Sequence, residues 1–334
     1  MHIETRTKPI NLNDNDDYLF QHEYEYICAE PIIKQYTNRY FNTEGYIYEN
    51  FTSVIEKYSP NKVTKSNKIK NFIKCLLFGN KIIQDDIIFI HDYWSNGYFH
   101  WNADALPKLF FLSRQLLLNN YKLVILKEYL QFDYIRESLD LFGIKVSDCI
   151  IVDNSKIFKC KKITYCPPFT NTGNYHSDII NEMSLFLKNK AGVKLLEPRR
   201  YIYISRKNAA KRRVINEDEV EALLSKFNFE IIETENMTYI QQIHLFNETK
   251  WLISIHGAAL TNMLFMNNNA NVLEFRNEKD KSNNCYFSLA SAMKLNYFYL
   301  KNERVDNEST DHVGDLQVDI NKLEKLLQLY LYSI

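Results

Sequence analysis

The reading turns on WLISIHGAALTN, Trp251–Asn262. A mostly apolar run of strand length passes into His-Gly-Ala-Ala and then into a helix-forming segment. An ordinary connection tolerates bulk, whereas a join built almost without side chains leaves room for something to approach the backbone. If a helix begins near Ala259, its first N–H groups lack partners within the helix and point into the space beyond the strand. An anion, most naturally a phosphate, is then the expected visitor. The plainer explanation is a tight strand-helix join chosen for packing alone.

Outward from this stretch, the chain from Arg200 onward alternates short apolar runs with helical patterns. YIYIS (Tyr201–Ser205), FEIIE, WLISI, NVLEF and YFYLK read as strands. NEDEVEALLSKF opens with Asn216 and Glu219 in capping-box positions, and TYIQQIHLF with Thr238 and Gln241. LTNMLFM and YFSLASAMKL supply further helices. Such alternation with short joins implies a parallel sheet covered by helices, a Rossmann-like domain.

The first half carries IIFIH, a helical pattern from about Ala103 to Leu118, KLVIL, a helix near Tyr129–Phe142, and CIIVD, which together read as a second α/β domain. Turn signals between Pro167 and Pro198, around a helix near Asp178–Lys190, mark the connection. The expected division is 1–190, 191–315 and a C-terminal amphipathic helix, 316–334, packing back on the first domain.

Composition bounds the function. The 334 residues contain 41 basic and 41 acidic side chains, and 46% are hydrophobic. Neutral charge argues against a dedicated nucleic-acid binder, so an RNA-binding role for the basic aromatic segment is disfavoured. Six scattered cysteines without a CxxC pair indicate neither a zinc cage nor a disulfide framework. No stretch is long and apolar enough to span a bilayer, and the N-terminus lacks a signal-peptide core, so a cytoplasmic protein is expected.

Three clusters bear on chemistry. RRYIYISRKNAAKRR holds seven basic residues and no acidic one, with Arg206 just past a strand. Arg206 and Arg213 suit a diphosphate, because guanidinium donors are planar and always charged; a solvated basic loop is the blander account. Glu274 ends NVLE at the same sheet edge, where a carboxylate commonly receives ribose hydroxyls. In SNGYFHWNADALPKL, His100 and Asp104 stand four apart and share a face if the helix already includes His100, with Phe99 and Trp101 available to line a cleft; a hydrogen-bonded core histidine is the plainer reading of His100. Asp104 is a candidate general base; its alternative is a helix-start carboxylate complementing the dipole.

YISRKNAAKRRVINEDEVEALL, then QQIHLFNETKWLISIHGAALTNMLFM and VLEF, preceded by NGYFHWNADALPKL, resemble glycosyltransferase family 61 over roughly Asn96–Leu300. The resemblance implies a GT-B architecture of two Rossmann-like domains facing a central cleft. It further implies an inverting mechanism, a nucleotide-sugar donor, usually a UDP-sugar, and no required metal or other cofactor. Carried over, it supports Asp104 as catalytic base with His100 beside it. It supports Arg206, Arg213, His256, Gly257, Ala258, Ala259 and Asn262 as the diphosphate site, and Glu274 as a nucleotide contact. Asn228 stands where the family more often has Gly, and residues 1–85 match no known pattern. A glycan or glycolipid acceptor, polysaccharide assembly and peripheral contact with the inner membrane face are family-level expectations. Two competing functions are a metal-dependent GT-A transferase using Asp14 and Asp16 as a DxD pair, and a non-catalytic nucleotide- or sugar-binding module.

Overall fold

The apolar run around Trp251 forms the strand Thr249–Ile255, central in a six-stranded sheet of the computed structural model. That model describes residues 1–43, 45–49, 53–57, 82–116, 118–153, 157–194, 196–305 and 314–332. Contacts divide the chain into two units. One comprises Met1–His2 and Cys28–Thr172, the other Ile3–Ile27 and Gly173–Ile334. The expected boundary near 190 differs because the helix Ser177–Lys190 seats its side chains in the second unit: Ser184 Oγ donates to the Leu264 carbonyl and Lys188 Nζ to that of Met266.

In the second unit the sheet runs Glu230–Ile232, Arg200–Ile204, Thr249–Ile255, Asn271–Asn277, Asn296–Arg304, Leu316–Gln317. The first five are parallel and the last is antiparallel. By chain order the parallel strands stand 2-1-3-4-5, so the direction of winding reverses between Arg200–Ile204 and Thr249–Ile255. Ligands of open α/β sheets bind beyond the carboxyl ends of such a pair. Trp251, Ile253, Phe275 and Phe298 bury on one face with Val220, Leu223 and Leu224 of the helix Glu217–Lys226.

The C-terminal helix Ile320–Tyr330 adds Leu323, Leu326 and Leu327 to this same cluster. It therefore belongs to the core of the second unit, not to the first domain as expected: its apolar stripe meets the stripe of Glu217–Lys226. The capping box expected at Asn216 is also absent. Asn216 spends its amide on the backbone of Val318, donating to the carbonyl and accepting from the N–H. At Thr238 the expected box is present, with Thr238 and Gln241 exchanging both hydrogen bonds.

In the first unit a seven-stranded sheet runs Val54–Lys57, Tyr46–Tyr48, Lys34–Asn42, Ile157–Tyr165, Ile82–Phe89, Lys122–Leu126, Ile150–Val152. The last four are parallel, and the first three extend the sheet antiparallel. This is an α/β unit with a β-meander edge. Strand order reverses between Ile82–Phe89 and Ile157–Tyr165, which places the segments after Phe89 and after Tyr165 side by side.

Candidate functional site

In the second unit, one cluster of candidate residues is built where the sheet changes direction. Arg206 follows one strand and Gly257 the next. A β-carbon on Gly257 would lie 3.3 Å from Arg206 Nη1 and 3.4 Å from Cζ. The guanidinium lies against the turn backbone, and a side chain at 257 would have to displace it by a few tenths of an ångström. Arg206 Nε donates to the Arg212 carbonyl and Nη2 to the Lys211 carbonyl, both at 3.2 Å. Glu217 holds the Arg206 backbone N–H at 3.1 Å and the Tyr203 hydroxyl at 2.9 Å. Arg212 adopts a left-handed backbone, φ 57°, a conformation costing roughly 1–2 kcal/mol for a residue with a side chain. Burial, and after it the Arg212 charge, push the Arg206 pKa down. An anion seated here would relieve the crowding of the two cations, against the nearby carboxylates of Glu235 and Glu217.

The turn continues as the short helix Ala258–Phe265, with Gly257 as N-cap. Ala258 is half-buried, and Ala259 buried. Asn262 is fully buried and donates to Gln242 Oε1 and the Ala259 carbonyl, so it braces the helix from inside. His256 Nδ1 is hydrogen-bonded to a Glu274 carboxylate oxygen, and Tyr297 donates its hydroxyl to the other. Glu274 is fully buried with both oxygens engaged, so it orients His256 and is not free to take the ribose hydroxyls expected of it. Burial would raise its pKa, but His256, Arg276 and Tyr297 outweigh that and hold it low. His256 Nε2 faces Asn283 Nδ2 at 3.0 Å, and Tyr286 packs edge-on to the imidazole. A shallow pocket beside His256 includes Arg212, Arg276 and Asp280.

Arg213 does not join this group. Its guanidinium is half exposed and forks onto the Asp315 carboxylate at 2.8 and 3.1 Å. The basic run contains five cations within the eight residues Arg206–Arg213, and spacing alone could not tell Arg212, which reaches the pocket, from Arg213, which pairs away from it.

In the first unit, His100 Nδ1 and Asp104 Oδ2 are 2.8 Å apart and Thr172 Oγ1 donates to the same oxygen at 3.4 Å. The pair sits where the turn Tyr98–His100 widens into a π-helical turn, Trp101–Ala105, before the helix Leu106–Gln115. Such wide turns recur at functional sites because they re-aim side chains. Trp101 is fully buried and donates Nε1 to Ser138, so it does not line a cleft; one residue on from His100 a helix faces elsewhere. Lys108, one turn beyond Asp104, is buried; burial lowers its pKa while Asp92 and Asp104 oppose that.

The competing DxD pair lacks a free partner. Asp16 is buried and held by Tyr299 at 2.8 Å and Lys301 at 2.5 Å, whereas Asp14 is exposed. A carboxylate already neutralised by an ammonium is a poor cation ligand.

A family model described as glycosyltransferase 61 matches residues 98–273, more than half of the chain. The span starts at the His100–Asp104 turn and ends one residue before Glu274. The EGF domain-specific O-linked N-acetylglucosamine transferase of Drosophila melanogaster is 31% identical over 131 residues, 37% of this chain and 25% of the relative. The mouse protein of the same description is 32% identical over 91 residues, 26% and 17% of the two chains. The chain thus spans a quarter or less of these relatives' length.

Proposed function

The chain belongs to glycosyltransferase family 61, and from that premise we propose that it moves a sugar from a nucleotide-sugar, a UDP-sugar first among them, to an acceptor hydroxyl with inversion. The observation that carries the reading is the Arg206 guanidinium lying on the Gly257 turn at the reversal of strand order. A diphosphate there meets fixed cationic donors and the first N–H groups of a short helix. The two α/β units fit the two domains of a GT-B enzyme.

Asp104 takes the proton of the acceptor hydroxyl as its oxygen attacks the anomeric carbon. The bond to the diphosphate oxygen breaks on the opposite face, and its electron pair leaves with the nucleoside diphosphate. Thr172 and His100 hold the Asp104 carboxylate in place. Negative charge grows on the departing diphosphate, so Arg206 acts more strongly in the transition state than in the ground state. With that charge met by guanidinium groups, no metal is assigned a step. His256, held by Glu274, adjoins the Gly257 turn that receives the donor diphosphate.

The relatives' names make UDP-N-acetylglucosamine the first donor to try. A thermal-shift screen across UDP-, GDP- and CMP-sugars, followed by product analysis with the best donor, tests the reading. Stabilisation by a UDP-sugar and an inverted glycoside product are expected. Stabilisation without turnover would make the chain a binding module, and turnover abolished by EDTA would reinstate a metal.

A further inference from the structure

We propose that the Trp94 indole, with the Tyr93 ring standing edge to face beside it, forms a platform on which a pyranose ring of the acceptor stacks beside Asp104. The proposal rests on the acceptor reading above and narrows it: the acceptor is a carbohydrate, bound through the apolar C–H face of its ring.

Both aromatic side chains stand in solvent, Tyr93 58% and Trp94 45% exposed, whereas Trp101 and Trp251 are fully buried. Their rings meet edge to face at 5.2 Å, and the Trp94 ring lies 6.0 Å from that of His100. His100 in turn contacts Asp104 at 2.8 Å. The loop that presents them is held firmly. Asp92 Oδ1 accepts from the Trp94 N–H and from Ser95 Oγ, both at 2.9 Å, and the Gly97 N–H donates to the Trp94 carbonyl at 2.9 Å. Tyr129 donates its hydroxyl to the Asp92 carbonyl at 2.8 Å. Large apolar rings fixed in water by a rigid loop lose little conformational entropy when a ligand covers them.

The occupant follows from what surrounds the rings. An indole face carries partial negative charge and the C–H face of a pyranose partial positive charge, so the two are complementary. The sugar's equatorial hydroxyls then point sideways, toward groups that can bond them. His100, Asp104 and the exposed Asn96 supply such groups. A lipid chain would need a continuous apolar surface, and two rings flanked by the exposed Asn96 do not provide one.

Because Trp94 is the one exposed tryptophan of three, intrinsic fluorescence reports on the platform directly. The full chain is titrated with the methyl glycosides of N-acetylglucosamine, galactose, mannose and xylose, with acrylamide as quencher and UDP affinity measured in parallel. At least one glycoside is expected to lower the quenching constant by twofold or more, and Trp94→Ala to abolish that response. In transfer to the same glycoside, Trp94→Ala is expected to raise the acceptor KM tenfold or more with kcat within threefold and UDP affinity unchanged, and Trp94→Phe to restore most of it. No response to any glycoside by a protein that binds UDP would overturn the platform while leaving the transferase reading intact. So would transfer to a Ser/Thr peptide with a KM indifferent to Trp94→Ala. Failure to bind UDP would strike the transferase reading alone, since the quenching experiment needs no donor.

Discussion

The guanidinium of Arg206 lies so close to Gly257 that a β-carbon there would stand 3.3 Å from Nη1. Gly257→Ala must therefore push the guanidinium aside by a few tenths of an ångström or more. UDP affinity is expected to fall about tenfold, roughly 1.4 kcal/mol. Arg206→Ala should cost at least as much. Arg213→Ala, which only breaks the exposed pair with Asp315, should leave UDP affinity within twofold. Calorimetry on the three variants separates the two arginines; equal losses at both would return Arg213 to the site.

Glu274→Gln keeps the shape of the side chain and removes its charge, leaving Arg276 and His256 without it. Breaking one partner of a buried charged network costs about 3–5 kcal/mol. The wild-type carboxylate is held below its ordinary value of 4.5. Its contribution to stability is thus present above that range and lost as pH falls through the lower folded value. Denaturant unfolding should show Glu274→Gln less stable at neutral pH and less sensitive to acid. A variant as stable as the wild type would mean that Glu274 is not the anchor of the network.

His91 is fully buried against Phe89 and Tyr129, and neither ring nitrogen has a protein partner among the described residues. Burial, and after it the Lys108 charge, hold its pKa down to about 3. The unfolded chain binds a proton near 6.5 that the folded histidine refuses until about 3, so wild-type stability falls as pH is lowered across that window. His91→Phe loses no hydrogen bond, and should flatten the dependence by at most about 1.4 kcal/mol per pH unit. Parallel pH profiles for the two proteins would show that His91 titrates freely.

Asn228 ends the helix Glu217–Lys226 with φ 62°. Its N–H donates to the Ser225 carbonyl and that of Phe229 to Leu224, the Schellman pattern in which Gly is favoured. Asn228→Gly should be near neutral and Asn228→Ala should cost about 1 kcal/mol. A difference too small to measure would place the strain elsewhere. The departure from the family's usual glycine is therefore one that the backbone tolerates.

Much of the second unit was legible because its signals are local. The strands Arg200–Ile204, Thr249–Ile255 and Asn271–Asn277 are short apolar runs, and the Thr238–Gln241 box lies within four residues. What was hidden depends on partners distant in sequence. Asn216 serves Val318, Arg213 serves Asp315, Asp16 serves Lys301, and Glu274 serves Tyr297 as well as His256. None of these pairings has a spacing that marks it. The antiparallel strands Lys34–Asn42 and Tyr46–Tyr48 are rich in Tyr, Asn and Thr with no clear alternation, so period alone could not reveal them. At His100–Asp104 the spacing of four was readable, whereas the π-helical turn that aims the pair, and the exposed Trp94 beside it, were not.

The most direct test of the proposed chemistry is Asp104→Asn, measured for sugar transfer and for UDP affinity on the same preparation. A placed base contributes typically about 10²–10⁴ in rate, so transfer should fall at least a hundredfold while UDP affinity stays within twofold. Unimpaired transfer, or a loss confined to UDP binding, would contradict Asp104 as the base that deprotonates the acceptor.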